Sequence, residues 1–190
     1  MNLTLTDLAP DDPRMSADIA PLIRTLRPQL TAPAFAAFAE EAYGQGLRFT
    51  VAYDATGRGL GVATHRLLAT SRGRVLFVDD LVTAPESRGR GVGAHLLAEL
   101  ERRARAAGCA RVELDSGTAN VHAHRFYHAR RMTIGALHFG LDIAPDTAPV
   151  TPPDTLPVTP PDTLPVTPPD TLPVTPPDTL PVTAPDIAPE

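Results

Sequence analysis

The sequence predicts a mixed α/β fold in which a central, mostly antiparallel sheet is flanked by helices on both faces. Short apolar or alternating runs of strand length recur through residues 1–143, and longer segments with helical periodicity separate them. One such strand leads directly into a turn rich in glycine and arginine, and a strongly amphipathic helix follows that turn. Residues 144–190 differ, because they contain 16 prolines and no aromatic residue. They cannot bury enough apolar surface to offset the entropy of ordering the backbone, so we expect a disordered tail.

The chain therefore divides into one folded domain, residues 1–143, and a repeat tail, residues 144–190. Within the tail the octapeptide Pro-Val-Thr-Pro-Pro-Asp-Thr-Leu occurs four times in succession, over residues 149–180. Three prolines in eight residues favour extended polyproline II structure. Such a tail can be a solvated repeat without a ligand, a spacer, or a ligand for a polyproline-binding partner. The sequence does not distinguish between these functions of the tail, and it does not decide whether the protein forms a homodimer.

Composition excludes several classes of protein. Seven of the 22 acidic residues lie in the tail, which leaves 15 acids against 17 arginines in the domain, with no lysine anywhere. The arginines are scattered rather than striped, so we expect no nucleic-acid partner. No apolar run approaches the roughly 20 residues of a membrane span, and the N-terminus does not resemble a signal peptide. We therefore expect a cytoplasmic protein with no membrane partner. Cys109 is the single cysteine, which excludes an intrachain disulfide.

The first half of the domain is predicted to contain four strands and two helices. Alternation of apolar and polar residues indicates the first strand, and Thr31 and Pro33 are typical of a helix start. A turn at residues 54–57 separates two further strands. The predicted elements in chain order are a strand at 3–5, helices at 16–26 and 34–43, and strands at 47–53, 60–68 and 75–83.

The second half is predicted to alternate helices and strands. A helix that begins near residue 94 carries an apolar stripe with a 3.6-residue period, and Gly108 is placed to cap it. The stripe consists of Val92, Leu96, Leu97, Leu100 and Ala104. A strand at 111–115, a helix at 120–130, and one or two closing strands at 133–143 follow.

The run Arg88-Gly89-Arg90-Gly91-Val92-Gly93 is the strongest candidate for a binding site. Glycines at a strand-to-helix turn let backbone N–H groups approach a ligand, and the helix N-terminus and the arginines add positive charge. These features suit a pyrophosphate. A P-loop is excluded because no Gly-Lys-Ser/Thr follows, and the spacing does not match the dinucleotide-binding fingerprint.

This Arg-x-x-Gly-x-Gly run, followed about thirty residues later by Asn120-x-x-Ala123-x-x-Phe126-Tyr127, resembles the GNAT family of N-acetyltransferases. The resemblance spans nearly the whole domain and implies a GNAT-like fold. It also implies transfer of an acetyl group from acetyl-CoA, as co-substrate, to a primary amine. We expect a small-molecule acceptor. A non-catalytic acetyl-CoA-binding module, or a protein N-acetyltransferase that uses the tail for docking, remains the alternative.

The resemblance also implies where acetyl-CoA binds. Its pyrophosphate would lie on the backbone N–H groups of Arg88, Gly89, Arg90, Gly91, Val92 and Gly93. The pantetheine arm would pair with the backbone of Leu81, Val82 and Thr83, and Asn120 would help to hold it. Such pairing needs a splayed sheet edge, which a β-bulge near Leu81 could supply.

The implied chemistry is direct attack of a neutral amine on the thioester. The backbone N–H of Val82 is the expected donor to the oxyanion, and Tyr127 is the expected general acid for the departing thiolate. Asp80 and Asp79 are the candidate general bases, with Asp80 slightly preferred. Since adjacent residues of a regular strand face opposite sides, we do not expect the two aspartates to act as a pair.

Two further features qualify this reading. The family usually closes the helix after the tyrosine with Gly-Phe, whereas this chain has Arg131-Met132, so arginine is strained there if the backbone is left-handed. His122, His124 and His128 lie close in sequence, but no acidic third ligand accompanies them, and we expect no metal.

Overall fold

Five strands form one sheet in the order β1-β2-β3-β4-β5 in the computed structural model, which describes residues 2–143. Neighbouring strands from β1 to β4 run antiparallel, and β5 pairs parallel to β4, which confirms the predicted mixed sheet. The tail predicted at 144–190 lies outside the described residues. The strands are β1 (Thr4–Leu8), β2 (Arg48–Tyr53), β3 (Gly59–Thr70), β4 (Gly73–Thr83) and β5 (Arg111–Leu114).

Among the described residues, three α-helices lie between strands and a fourth follows β5: α1 (Ala20–Leu26), α2 (Ala32–Gly44), α3 (Val92–Ala106) and α4 (Val121–His128). The helix predicted at 16–26 begins with a wider π-helical turn, Met15–Ile19, before α1. Pro21 supplies a reason, because it has no N–H and its ring would collide with a carbonyl of the preceding turn. The predicted cap of α2 is confirmed, since the Thr31 hydroxyl accepts from the Ala34 N–H.

Apolar side chains fill both faces of the sheet. On one, which we call the α1/α2 face, Ile19, Ile23 and Phe35 pack against Phe49 and Val62. On the other, the α3 face, the residues of the predicted stripe other than Leu97 pack against strand residues such as Ala63, Leu76 and Val78. Every residue of that stripe is 4% exposed or less. Burying each of its leucines contributes roughly 1.5–3 kcal/mol, which fixes α3 and hence the turn before it.

The closing strands predicted at 133–143 are wrong. This segment has no regular secondary structure, and its apolar residues Ile134, Leu137, Phe139, Leu141 and Ile143 are 71–87% exposed. Alternating apolar residues indicate a strand only if a partner backbone is present, and the segment forms no ladder with any of the five strands. Within residues 2–143, no helix is long and apolar enough to cross a membrane.

Candidate active site

A β-bulge in β4 organises the two aspartates. Thr64 of β3 lies opposite Asp80 and His65 lies opposite Val78, so Asp79 is an extra residue in β4. The bulge expected near Leu81 is therefore present, two residues earlier. The Asp80 side chain contacts Thr64, and the Asp79 side chain contacts Arg66. Because Thr64 and Arg66 lie on the same face of β3, both aspartate side chains lie on that face of the sheet. The expectation that the aspartates face opposite sides is wrong, because the extra residue shifts the alternation.

Asp80 is the more buried of the two aspartates, with its side chain 9% exposed. Its carboxylate accepts hydrogen bonds from Arg27 Nη2 at 3.2 Å and from Thr64 Oγ1 at 3.4 Å. Its backbone N–H donates to Thr64 Oγ1 at 2.9 Å, which ties the bulge to β3. Burial raises the pKa of Asp80, and the Arg27 charge opposes this rise. A carboxylate with a raised pKa is a better proton acceptor.

Asp79 is held differently. Arg66 donates to both of its oxygens, from Nε to Oδ2 at 3.1 Å and from Nη2 to Oδ1 at 2.5 Å. Both side chains are about a quarter exposed. A bidentate arginine–carboxylate pair fixes orientation as well as charge. The geometry therefore favours Asp80 over Asp79 as a base, although both assignments stay predictions.

One edge of β4 is open beyond the bulge. Strand β5 pairs with residues 75–78 of β4, and its described register goes no further. Strand β5 ends at Leu114, so no described strand pairs with this edge of β4 beyond Val78, and we call this unpaired edge around Leu81 the gap. A backbone in this gap can accept another extended chain through its free N–H and C=O groups.

The register decides which backbone groups face the gap. The Ala84 N–H donates to the Leu60 carbonyl at 2.9 Å, across β4 and β3. Because hydrogen bonding alternates along an antiparallel pair, Val82 also directs its N–H to β3, whereas Leu81 and Thr83 face the gap. The expectation that Val82 supplies the oxyanion donor is therefore wrong. The N–H of Leu81 is then the candidate donor, and this assignment stays a prediction.

The glycine-arginine loop is exposed and has an unusual backbone. Gly89 has φ 73° and Gly91 has φ 88°, and a Cβ at either residue would meet no atom within 4 Å. Gly91 is the N-cap of α3, and no side chain caps that end. The first N–H groups of the helix, including those of Val92 and Gly93, therefore lack an intrahelical acceptor. Open space, aligned donors and helix polarity fit a pyrophosphate.

The backbone N–H groups of the two arginines of this loop are already bonded within the turn. The N–H of Arg88 donates to Pro85 O at 3.3 Å, and that of Arg90 donates to Ser87 O at 3.4 Å. Their backbone donors thus serve the turn itself. Their side chains, on exposed residues, remain the groups that would contact an anion.

Helix α4 lies against the start of α3. A Cβ on Gly93 would be 3.5 Å from the Phe126 ring and 3.5 Å from Thr83 Oγ1, so the end of β4, the start of α3 and α4 meet here. Asn120 caps α4, because its Oδ1 accepts from the Ala123 N–H at 3.3 Å. Tyr127 follows Phe126 and is half-buried, and burial raises the pKa of its phenol.

The turn after α4 is strained, as the sequence analysis expected. Arg131 has φ 62°, in the left-handed region that favours glycine. The Met132 N–H donates to Tyr127 O at 3.1 Å, and the Arg131 N–H donates to His128 O at 2.9 Å. These two bonds form a Schellman motif, which fixes the backbone of Tyr127.

Sequence reasoning missed Arg27, Thr64 and Arg66, which hold the two aspartates. Arg27 follows α1 and lies 53 residues before its partner Asp80, so no local pattern indicates it. Thr64 and Arg66 at alternate positions of a strand mark a shared polar face, and that signal could have been read. Within residues 2–143, the structure brings together no group of three side chains able to hold a metal ion.

Comparisons with known proteins identify the family of this chain. The model of the acetyltransferase (GNAT) family matches residues 17–132. A search of curated proteins finds no significant match. Solved structures similar to this chain include an acetyltransferase of Trypanosoma brucei, with 27% identity and a TM-score of 0.60, covering 75% of this chain and 100% of that one.

Two other similar structures share the fold at lower identity. The aminoglycoside N-acetyltransferase AAC(6')-Iy, solved with CoA, has 19% identity and a TM-score of 0.64, covering 75% of this chain and 95% of that one. Glucosamine-6-phosphate N-acetyltransferase from Arabidopsis thaliana has 19% identity and a TM-score of 0.60, covering 76% of this chain and 100% of that one. With a family model that spans more than half of its length, this chain belongs to the GNAT family and is an N-acetyltransferase.

Proposed function

We propose that this protein transfers the acetyl group of acetyl-CoA to the primary amine of a small molecule. The observation that carries the proposal is the continuity of two binding features. The open edge of β4 leads, through the glycine-arginine loop, into the uncapped N-terminus of α3. One molecule that has an extended amide-bearing arm and a pyrophosphate can use both at once.

The donor would bind through backbone groups. The pyrophosphate would receive hydrogen bonds from N–H groups at the start of α3, next to the exposed Arg88 and Arg90. The pantetheine amides would pair with Leu81 and Thr83, which face the gap between β4 and β5. Asn120 uses its Oδ1 as a helix cap, so its amide N–H groups are the ones left for a pantetheine carbonyl.

The thioester supplies an activated acetyl group, and the protein supplies proton transfer and charge stabilisation. Asp80 would take a proton from the ammonium of the acceptor, and the resulting neutral nitrogen would form the new C–N bond at the carbonyl carbon. The N–H of Leu81 would donate to the oxyanion. As the C–S bond breaks, Tyr127 would protonate the sulfur, and the nitrogen would lose its second proton to solvent.

Substitution of Tyr127 tests the acid. In Tyr127→Phe we expect kcat to fall by about 10²-fold, since general acid catalysis contributes factors of this size, and the loss of rate at high pH to disappear. The KM for acetyl-CoA should change little. Tyr43→Phe is the matched control, because Tyr43 lies on α2 and stacks on Arg48 instead. Unchanged kcat and pH profile in Tyr127→Phe would show that the tyrosine is not the acid.

Substitution of Gly91 tests the loop. Gly91→Glu places a negative charge where the pyrophosphate would lie, and two like charges about 4 Å apart at a protein surface repel by several kcal/mol. We expect acetyl-CoA affinity to fall tenfold or more in a titration calorimeter. Gly108→Glu is the control, since Gly108 is also left-handed, with φ 65°, and open, but lies beyond the other end of α3. Equal affinities in the two variants would contradict the loop assignment.

A further inference from the structure

We propose that the acceptor is a primary amine that also carries an anionic group a few bonds away, with Asp80 binding its ammonium and Arg27 binding its anion. The inference rests on the proposed function and names the class of acceptor. It starts from the charges that the bulge brings to one face of β3 and β4. Two acids, Asp79 and Asp80, lie beside two bases, Arg27 and Arg66, and the charges of the four groups cancel.

The two ion pairs differ in how firmly they are held. Arg66 makes two hydrogen bonds to Asp79, and both side chains are about a quarter exposed. Arg27 makes one hydrogen bond to Asp80, and its side chain is 52% exposed while that of Asp80 is 9% exposed. Arg27 thus covers a carboxylate that is otherwise close to buried. Because a single 3.2 Å hydrogen bond from an exposed arginine holds this pair, a ligand that replaces both partners can separate it, whereas the bidentate Arg66 pair stays closed.

Separation of the pair has a consequence that depends on the ligand. A ligand ammonium that takes the place of Arg27 leaves the guanidinium without a partner. If the ligand also carries an anion, that anion takes the place of Asp80 on Arg27, and both protein charges remain paired. A neutral substituent leaves the guanidinium unpaired, and a second ammonium is repelled by it.

The reach of the groups limits the distance between the two ligand charges. Arg27 Nη2 and Asp80 Oδ1 are 3.2 Å apart, and the half-exposed arginine can move outward while the aspartate cannot. A ligand inserted between them needs only a short spacer. Since Leu81 directly follows Asp80, the carboxylate that would hold the amine belongs to the residue next to the backbone N–H that faces the donor gap.

The test compares amines matched in length. β-Alanine, n-propylamine and 1,3-diaminopropane share a three-carbon chain and differ in the far group, and glycine, ethylamine and 1,2-diaminoethane form a shorter set. At saturating acetyl-CoA we expect kcat/KM for the amino acids to exceed that of the neutral and dicationic amines by tenfold or more. A preference for the neutral or dicationic amines would overturn the inference while leaving the proposed function in place. Acetylation of none of the six would also overturn the inference, whereas a protein that does not bind acetyl-CoA in the titration calorimeter would refute both.

Variants of Arg27 separate binding from a structural role. Arg27→Gln should raise KM for β-alanine at least tenfold, with little effect on n-propylamine or on KM for acetyl-CoA. Arg27→Glu should reverse the preference toward 1,3-diaminopropane, a gain that no purely structural residue would give. Arg24→Gln, at an exposed position of α1, the helix that Arg27 follows, is the control. An equal loss with all three amines in both Arg27 variants would contradict the assignment.

Discussion

His65 makes stability depend on pH in a way that the structure fixes in sign. It lies on β3, 5% exposed, and its Nδ1 has no hydrogen-bond partner. Burial lowers its pKa from 6.5 to about 4. The surrounding charges act in both directions: Arg103 and Arg48 lower the pKa further, and Asp7 and Asp79 raise it. The folded protein therefore holds this imidazole neutral at a pH where the unfolded chain protonates it.

The magnitude follows from the two pKa values. As pH falls below 6.5, the unfolded state gains a proton that the folded state does not accept until about pH 4, so stability is lost across this window. The full difference corresponds to about 3 kcal/mol, and roughly 2 kcal/mol of it is lost between pH 7.5 and pH 5. Below pH 4 both states are protonated at His65, and its contribution no longer changes.

Urea unfolding at pH 7.5 and pH 5 measures the effect. His65→Leu removes the titrating group with a side chain of similar size, so the free energy of unfolding should fall on acidification by about 2 kcal/mol less than in the parent protein. His95→Leu, at an exposed position of α3, is the control. Equal pH dependence in His65→Leu and the parent protein would refute the reasoning, because no buried neutral imidazole would then be present.

Two further substitutions test the packing around the site. Arg131→Gly should raise the free energy of unfolding by about 0.5–1 kcal/mol in urea, because it relieves a left-handed arginine, and an unchanged midpoint would argue against that strain. Gly61→Ala should cost about 1–3 kcal/mol and weaken acetyl-CoA binding by displacing the start of α3, because its Cβ would lie 2.8 Å from Val82 O and 2.9 Å from Val92 Cγ1. An unchanged free energy of unfolding in Gly61→Ala would show that Gly61 is not packed this closely against Val82 and Val92.

The parts of the fold that sequence predicts well are those in which local chemistry and tertiary structure agree. The apolar stripe predicts that one face of α3 is buried, and every residue of the stripe is buried in the structure. Gly91 and Gly108 take left-handed backbone at the two ends of that helix, as glycine permits. The strain at Arg131 was predicted from sequence as well. The residue after this helix takes left-handed backbone because of its place in the turn, whichever amino acid is there.

The parts that sequence does not predict depend on pairing across strands. The adjacent Asp79 and Asp80 face the same side because β4 contains one extra residue at the bulge relative to β3. The position of that extra residue depends on how the whole β3–β4 hairpin pairs. The same register turns the N–H of Val82 toward β3 and leaves that of Leu81 as the proposed oxyanion donor. The arginine over Asp80 comes from a helix far away in sequence. The segment at 133–143 shows the opposite error, in which a strand pattern was present and a partner was not.

Thermal unfolding with and without acetyl-CoA tests the central claim most directly. A ligand that binds only the folded state at a hundredfold excess over its dissociation constant stabilises by about 2.7 kcal/mol. For a chain of this size that corresponds to a rise in Tm of roughly 5–10 °C. We expect acetyl-CoA and CoA to give this rise and ATP at the same concentration not to. No rise with acetyl-CoA would show that the gap beside β4 and the loop before α3 do not hold the donor.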